Sequence, residues 1–149
     1  MAQSKYALLF NLSQEKVEAC AERMRKAQAS QVAAQGKLAQ LQTFLQEYQQ
    51  RLTSGGIRGM GITQWQDFQR FLRRLEEALE IQQGEVDRCI QRFMLERLAW
   101  QNERKKLKAY EKLMAREALR AQRAEARRMQ KATDEFATRR FWDQSQPEE

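Results

Sequence analysis

The stretch Gly55-Gly56-Ile57-Arg58-Gly59-Met60-Gly61 holds four of the six glycines in the chain. It separates two long segments that contain no proline and that repeat apolar residues every seven positions. Glycine adopts turn conformations that other residues avoid, and it weakens a helix. The stretch at 55–61 therefore predicts the tip of a hairpin in which a helix over 5–54 folds back on a helix over 62–141.

The first segment predicts a continuous coiled-coil seam. Its packing residues fall on two rows, spaced alternately three and four residues apart, without a break in phase. One row is Phe10, Val17, Met24, Gln31, Leu38, Leu45 and Leu52, and the other is Tyr6, Ser13, Cys20, Ala27, Ala34, Leu41 and Tyr48.

The second segment supplies the matching rows. Thr63 and Gln66 have the spacing of a capping box at its start. An entirely apolar row contains Trp65, Leu72, Leu79, Val86, Phe93, Trp100, Leu107, Met114 and Ala121. Its companion row is apolar near the tip and acidic further on, with Phe68, Leu75, Gln82, Cys89, Glu96, Glu103, Tyr110, Glu117 and Ala124. We therefore expect the seam to be tightest beside the loop.

These patterns predict an all-α protein, a long antiparallel two-helix coiled-coil hairpin that forms a single domain over 1–149. Folding at the glycines places Leu38 opposite Leu79 and Phe10 opposite Leu107. Because the second helix is the longer, its C-terminal part should overhang without an intramolecular partner. The tail 143–149 is predicted to be disordered.

Composition narrows the class of protein. The chain carries a net charge of +7, and residues 104–131 hold eleven Lys or Arg against three acids. No apolar run approaches the roughly 18 residues that span a bilayer, and the first residues lack a secretory signal, so we expect a cytoplasmic protein. In the predicted register Cys20 and Cys89 lie too far apart for a disulfide. We therefore expect both to be buried thiols within the seam.

Catalysis is disfavoured by what the sequence lacks. It has no histidine, which is the commonest general base near neutral pH and a common zinc ligand. The glycine cluster follows a helix instead of a strand and lacks the Gly-Lys-Ser/Thr ending of a phosphate-binding loop. We therefore predict a non-enzyme with no cofactor, no metal site and no small-molecule substrate.

Two aromatic residues lie outside the seam rows. Phe44 precedes Leu45 and Phe71 precedes Leu72, and the register makes them face each other near the tip. One interpretation is that they flank a tight seam, and the other is that they form an exposed anchor for a partner.

Eight cations form a stripe along the second helix. They are spaced three or four residues apart over about 40 Å of helix and comprise Lys105, Lys108, Lys112, Arg116, Arg120, Arg123, Arg127 and Lys131. A solvated helix face would usually mix both signs, so the stripe favours an acidic partner: protein, membrane surface or nucleic acid. Tyr110 is the one aromatic within the stripe, which disfavours base stacking and hence nucleic acid.

The sequence resembles the flagellar export protein family FliJ over nearly its whole length. The resemblance is carried by 45–52 (LQEYQQRL), by the glycines, by 65–76 (WQDFQRFLRRLE), by 100–110 (WQNERKKLKAY) and by 134–137 (DEFA). Coiled coils look alike, so the order and spacing of these motifs make the resemblance specific.

The resemblance implies a cytoplasmic component of the flagellar type III export apparatus that associates peripherally with the inner membrane, through the export gate only. Proteins of this family resemble the stalk of rotary ATP synthases. They insert into the ring of the export ATPase FliI, whose regulator is FliH, bind the cytoplasmic domain of the export gate FlhA, and escort export chaperones. They couple the ATPase to protein export.

The resemblance also implies a gate-binding surface at Lys37, Leu41, Phe44, Tyr48, Phe71, Leu75, Ala78 and Gln82. By the stalk analogy, the paired helix ends that bear the basic stripe enter the ATPase ring. Two alternatives stay open: the stalk of a virulence injectisome, and a basic helical adaptor that binds RNA or ribosomes.

Overall fold

Two long helices make up the fold of the computed structural model, which describes residues 4–56 and 59–146. Helix α1 spans Ala7–Arg51 and continues into one π-helical turn over Leu52–Gly56. Helix α2 spans Ile62–Ser145. Between the first and last described residues there is no β-strand. The predicted all-α fold with two long helices is confirmed.

The tip differs in detail from its prediction. The π-helical turn carries helical hydrogen bonding through Gly56, so α1 does not simply stop at the first glycine. Gly59 has a φ of 96°, a conformation that side chains with a Cβ rarely adopt, and this requires glycine there. Ile57 and Arg58 lie outside the described residues.

The start of α2 corrects the predicted capping box. The helix begins at Ile62, and the Trp65 N–H donates to the Gly61 carbonyl at 3.0 Å. Thr63 therefore lies within the first turn instead of preceding it. The glycine that ends the tip also begins the helical hydrogen bonding.

Residues Lys16–Glu103 form one compact unit, in which α1 and α2 run antiparallel. The Gln82 amide Nε2 donates to the Ala34 carbonyl at 3.0 Å, and the rings of Tyr48 and Phe68 are 5.4 Å apart. Nearer the other end of this unit, Arg23 Nε lies 3.4 Å from Glu96 Oε2. The contact between Ala34 and Gln82 lies one residue from the predicted register.

A second compact unit comprises Met1–Glu15 and Arg104–Glu149. Ser4 joins its two parts, because its hydroxyl donates to Glu117 Oε2 at 2.6 Å. The same Ser4 oxygen accepts a hydrogen bond from the Tyr6 N–H, which otherwise has no helical acceptor at the start of α1. The Ser4 side chain thus caps the start of α1 and also binds Glu117, an acidic residue of the predicted seam.

The burial pattern confirms the seam rows of α1, whose members are all buried or half-buried. The expectation of a tightest seam beside the loop is wrong. The buried members of these rows are small residues away from the tip, namely Ser13, Cys20, Ala27 and Ala34. Small side chains let two helices approach closely. The aromatic side chains near the tip are larger, and part of each ring remains exposed to solvent.

The rows of α2 follow the prediction over most of their length and depart from it at both ends. Trp65 is exposed beside the tip, and Ala121 and Ala124 are exposed because no part of α1 covers them. Every residue from 118 to 146 is exposed. This segment is the predicted C-terminal overhang.

The predicted tail overlaps the end of α2. Residues 143–145 are helical, so disorder does not begin at 143, whereas 147–149 lie outside the described residues. Both cysteines are free, as expected: Cys20 is buried and Cys89 is half-buried.

Enlarging a small seam residue should destabilise the hairpin. We expect Ala34→Leu to lower the free energy of unfolding by about 1–3 kcal/mol, because the buried Ala34 leaves no room for added methyl groups. Urea unfolding followed by circular dichroism measures the change.

Ala33→Leu is the matched control, since it makes the same substitution at the exposed neighbouring position. It should change the free energy of unfolding by no more than about 0.5 kcal/mol. Equal effects of the two substitutions would contradict close packing at Ala34.

Candidate partner-binding surfaces

The unit Lys16–Glu103 carries the predicted gate-binding residues, and the structure exposes only some of them. Lys37, Phe44 and Phe71 are exposed, with relative exposures of 54% for Phe44 and 44% for Phe71. The remaining members are half-buried or buried and lie between the helices: Leu41, Tyr48, Leu75, Ala78 and Gln82. A partner could therefore contact three side chains fully and the others at their edges.

The aromatic side chains near the tip form a connected stack. The rings of Tyr48 and Phe71 lie 4.6 Å apart with 26° between their planes, and Tyr48 also contacts Phe68. The ring centres of Trp65 and Phe68 lie 6.3 Å apart, with 14° between the ring planes. Aromatic pairs in such geometries add about 0.5–1.5 kcal/mol beyond burial, so this stack fixes the orientation of Phe71.

Phe44 does not take part in this stack, contrary to the expectation that it faces Phe71. Among the residues that the structure describes, no ring contact involves Phe44. Its neighbour in the seam row, Leu45, is half-buried while the Phe44 ring is directed to solvent. Phe71 is thus partly a packing residue, whereas Phe44 is exposed and makes no aromatic stack among the described residues.

An open groove of about 390 Å³ lies beside the aromatic stack. It is lined by Tyr48, Arg51, Leu52, Ser54, Met60 and Phe68. The Arg51 guanidinium lies 5.7 Å from the centre of the Tyr48 ring, within the range of a cation–π contact. The heptad pattern could not reveal this groove, because it depends on the path of the chain around the glycines.

Lys37 and Gln82 lie near the ion pair that Glu85 and Arg88 form on α2. The hydrogen bond from the Arg88 guanidinium holds the pKa of Glu85 below its ordinary value, and the charge of Lys37 adds a smaller effect in the same direction. Lys37 is therefore close enough to α2 to interact with Glu85, while Gln82 is bound to the α1 backbone.

The basic stripe lies in the unit that contains Arg104–Glu149, and each of its eight cations is exposed. All belong to the uninterrupted helix α2, so the sequence spacing becomes one continuous line of charge. Within 4–56 and 59–146, none of the salt bridges involves a member of the stripe.

A shallow notch joins the stripe to the start of α1. It is lined by Lys5, Tyr6, Leu113, Arg116, Glu117 and Arg120. Lys5 Nζ lies 5.1 Å from the centre of the Tyr6 ring. Lys5, which precedes α1, thereby adds a cation beside Arg116 and Arg120, and the sequence rows did not indicate this juxtaposition.

Neither a metal site nor a membrane span was found in the described part of the chain. No cluster of three or more His, Cys, Asp or Glu side chains could bind a metal ion there. No helix in those residues has the length and apolarity that crossing a bilayer requires.

Comparisons with known proteins agree with the resemblance found in the sequence. A family model described as flagellar FliJ protein matches residues 2–146. The flagellar FliJ protein of Escherichia coli strain K12 is 28% identical over 133 residues, which cover 89% of this chain and 90% of that protein. The flagellar FliJ protein of Salmonella typhi is 28% identical over 131 residues, which cover 88% of this chain and 89% of that protein. The matches confirm the family resemblance over nearly the whole chain.

The different packing of Phe44 and Phe71 predicts different effects on stability. Both substitutions to alanine gain the same helix propensity, but only Phe71→Ala removes an aromatic stack. We expect Phe71→Ala to lower the free energy of unfolding by about 0.5–1.5 kcal/mol more than Phe44→Ala does. Urea unfolding of the two variants in parallel tests this difference, and equal stabilities would show that the Tyr48–Phe71 stack contributes nothing.

Proposed function

Because the chain belongs to the flagellar FliJ family, we propose that it is a non-enzymatic component of the flagellar protein export apparatus. In this proposal it binds the hexameric export ATPase FliI, with its regulator FliH, and the cytoplasmic domain of the export gate FlhA. It couples the ATPase to export and escorts export chaperones. It is cytoplasmic and associates peripherally with the inner membrane through the gate.

One observation carries this proposal: two exposed surfaces of different chemistry lie in different compact units. The unit Lys16–Glu103 exposes the aromatic side chains Phe44 and Phe71. The unit with Arg104–Glu149 exposes a line of cations. Exposed aromatic side chains and exposed cations select different partners, which supports a protein that binds two components.

The gate is assigned to the aromatic surface. Exposed large aromatics are enriched among the residues that dominate binding energies at protein interfaces. The aromatic stack holds Phe71 in one orientation before a partner arrives, which lowers the entropy lost on binding. Phe44 supplies a second exposed aromatic side chain, which takes part in none of the ring contacts among the described residues.

The ATPase ring is assigned to the basic stripe. Eight exposed cations, none of which forms a salt bridge with another described residue, attract a surface rich in carboxylates. The printed names of both relatives are flagellar, which favours the flagellar apparatus over a virulence injectisome. An RNA-binding adaptor has no comparable support, because Tyr110, the aromatic within the stripe, is half-buried.

Removing both exposed aromatics should abolish tight binding to the gate. We expect Phe44→Ala with Phe71→Ala to weaken binding to the FlhA cytoplasmic domain by at least tenfold, because truncating an anchor typically costs about 2 kcal/mol or more. Titration calorimetry measures the affinity, and circular dichroism checks that helix content is retained.

The matched control for gate binding is Val32→Ala with Ile81→Ala. It removes two exposed apolar side chains of the same unit that lie outside the predicted surface. Affinity should be unchanged in this control. Native affinity in the double phenylalanine variant would overturn the assignment of this surface to the gate.

Reversing charges in the stripe should weaken binding to the ATPase. We expect Lys112→Glu, Arg116→Glu and Arg120→Glu together to reduce binding to the FliI hexamer by at least tenfold. Binding of the native chain should weaken as salt increases, since exposed charge interactions are screened. Co-sedimentation with the assembled hexamer at several salt concentrations gives both results.

An equal charge reversal outside the stripe provides the control. Lys16→Glu, Lys26→Glu and Arg70→Glu change the net charge by the same amount at exposed positions of the other unit. A similar loss in both triple variants would indicate nonspecific attraction. Tight, salt-sensitive binding of the native chain to RNA, with no binding to the hexamer, would support the adaptor instead.

A further inference from the structure

The middle of α2 carries an exposed apolar patch that neither candidate surface includes. Met94, Leu95 and Leu98 have relative exposures of 57%, 67% and 54%. At about 100° per residue, Met94 and Leu98 lie about 40° apart, on the side of the helix opposite the seam residue Glu96. Single exposed apolar residues are common on protein surfaces, whereas a cluster of them is typical of a binding surface.

Met94 and Leu98 form the centre of a second row of positions that are spaced alternately three and four residues apart. This spacing places residues on one face of a helix that can pack along a second helix. We call these positions the outer row. All of its members except the half-buried Gly84 are exposed. The outer row comprises Glu80, Gly84, Asp87, Gln91, Met94, Leu98, Gln101, Lys105, Lys108 and Lys112.

The outer row is complementary to itself about position 96. Residues at equal distances before and after this position are apolar with apolar, amide with amide, or acid with base. One further pair, Gly84 with Lys108, sets a lysine opposite a residue that has no side chain. The other pairs are Met94 with Leu98, Gln91 with Gln101, Asp87 with Lys105, and Glu80 with Lys112.

Antiparallel pairing with a second copy of the chain requires this symmetry. In a twofold contact between antiparallel helices, each residue meets the residue that lies equally far on the other side of the axis. A partner of different sequence needs no such symmetry. Parallel pairing in register would place Asp87 against Asp87 and Lys105 against Lys105, and such like-charge contacts oppose association.

The charged members of the outer row are available for a partner. Within 4–56 and 59–146, none of Glu80, Asp87, Lys105 and Lys112 takes part in a salt bridge. Asp87 Oδ1 accepts a hydrogen bond from the Gln83 amide at 3.1 Å. Because a carboxylate has about four acceptor sites, this bond leaves Asp87 able to pair with a lysine.

We propose that the outer row of α2 is a self-recognition surface through which two copies of the chain pair antiparallel. Met94 of each copy packs against Leu98 of the other, and ion pairs of Asp87 with Lys105 flank this contact on both sides. Exposed ion pairs contribute little and are screened by salt, so the pair is reversible and weakens as salt increases. Since Lys105 also belongs to the basic stripe, pairing covers part of the stripe.

A membrane surface does not match the same face. A helix that lies in the membrane interface combines a continuous apolar face with cations that attract anionic lipids. Along the outer row the apolar patch is short, and Glu80 and Asp87 precede it on the same face. These acids would be repelled by anionic headgroups, whereas they complement the lysines of a second copy.

Sedimentation equilibrium of the purified chain at low salt tests the pairing, and it does not depend on the proposed function. We expect a monomer–dimer equilibrium whose dissociation constant rises at least tenfold in the variant Met94→Gln with Leu98→Gln. Val32→Gln with Ile81→Gln is the control, since it changes two exposed apolar residues outside the outer row, and its dissociation constant should equal that of the native chain. Circular dichroism checks that helix content is retained.

Three results of these measurements would overturn the pairing. One is a native chain that stays monomeric up to millimolar concentration. Another is an equal loss of association in the two variants. The third is a native monomer that binds anionic phospholipid vesicles through Met94 and Leu98, which would assign the patch to lipid.

Exchanging the charges of the outer row tests its complementarity. One variant carries Glu80→Lys with Asp87→Lys, and the other carries Lys105→Glu with Lys112→Glu. Each variant alone sets like charges opposite each other, so its self-association should weaken at least tenfold. A mixture of the two should associate within about threefold of the native affinity, because every charged pair is then restored. Both variants keep a positive net charge, starting from +7, so nonspecific attraction cannot produce this recovery, and its absence would contradict the pairing.

Disulfide trapping tests the direction of the second copy. Chains with Gln91→Cys and chains with Gln101→Cys, both also carrying Cys20→Ser and Cys89→Ser, are mixed in a glutathione redox buffer. Antiparallel pairing sets position 91 opposite position 101, and it separates identical positions by about 15 Å along the axis, beyond disulfide reach. We expect the mixed disulfide to exceed either homodisulfide at least fivefold. A predominance of homodisulfides would overturn the antiparallel arrangement.

Discussion

The narrow seam between α1 and α2 is the constraint on which the remaining features of the structure depend. In the unit Lys16–Glu103 its centre is formed by Cys20, Ala27 and Ala34, whose small side chains let the helices approach. The approach is close enough for the Gln82 amide to reach a backbone carbonyl of α1 at 3.0 Å. A mid-helix carbonyl can accept this bond in addition to its helical one, because its oxygen has two lone pairs.

Because the seam is narrow, most of each helix surface remains in solvent, and that surface is where partners can bind. The aromatic stack connects the two roles near the tip. Tyr48 is half-buried in the seam and stacks on Phe71, which is exposed to solvent. Packed and exposed aromatic side chains are in contact there, whereas the basic stripe occupies exposed positions of α2 between half-buried seam residues.

The sequence predicted the fold well, because a heptad pattern reports directly which residues face a neighbouring helix. Every residue that the sequence placed on the α1 rows is buried or half-buried in the structure, and the tip lies at the glycines as predicted. The heptad pattern did not predict how deeply each seam residue is buried, because burial depends on side-chain size and on whether the other helix covers the position. Apolarity alone suggested a tight seam at Trp65 and the aromatics, but burial is greatest around small residues such as Ala34, which neighbouring helices can approach closely.

The candidate surfaces were predicted less completely, for a related reason. Periodicity places a residue on a face, so it identified the stripe and the exposure of Phe44. It could not show that Phe71 stacks on Tyr48, that Lys5 lies beside the stripe, or that a groove forms near Met60. Those features depend on the register between helices and on the path of the tip, which are properties of the folded pair.

The segment beyond the seam keeps its helical form by local interactions instead of tertiary packing. It is rich in alanine, arginine and glutamine, which favour helix strongly. The Gln130 amide also donates to Asp134 across one turn at 3.2 Å. A helix that forms without a partner loses little backbone entropy when it binds one. The cations of the stripe are therefore held in a fixed geometry by their own helix.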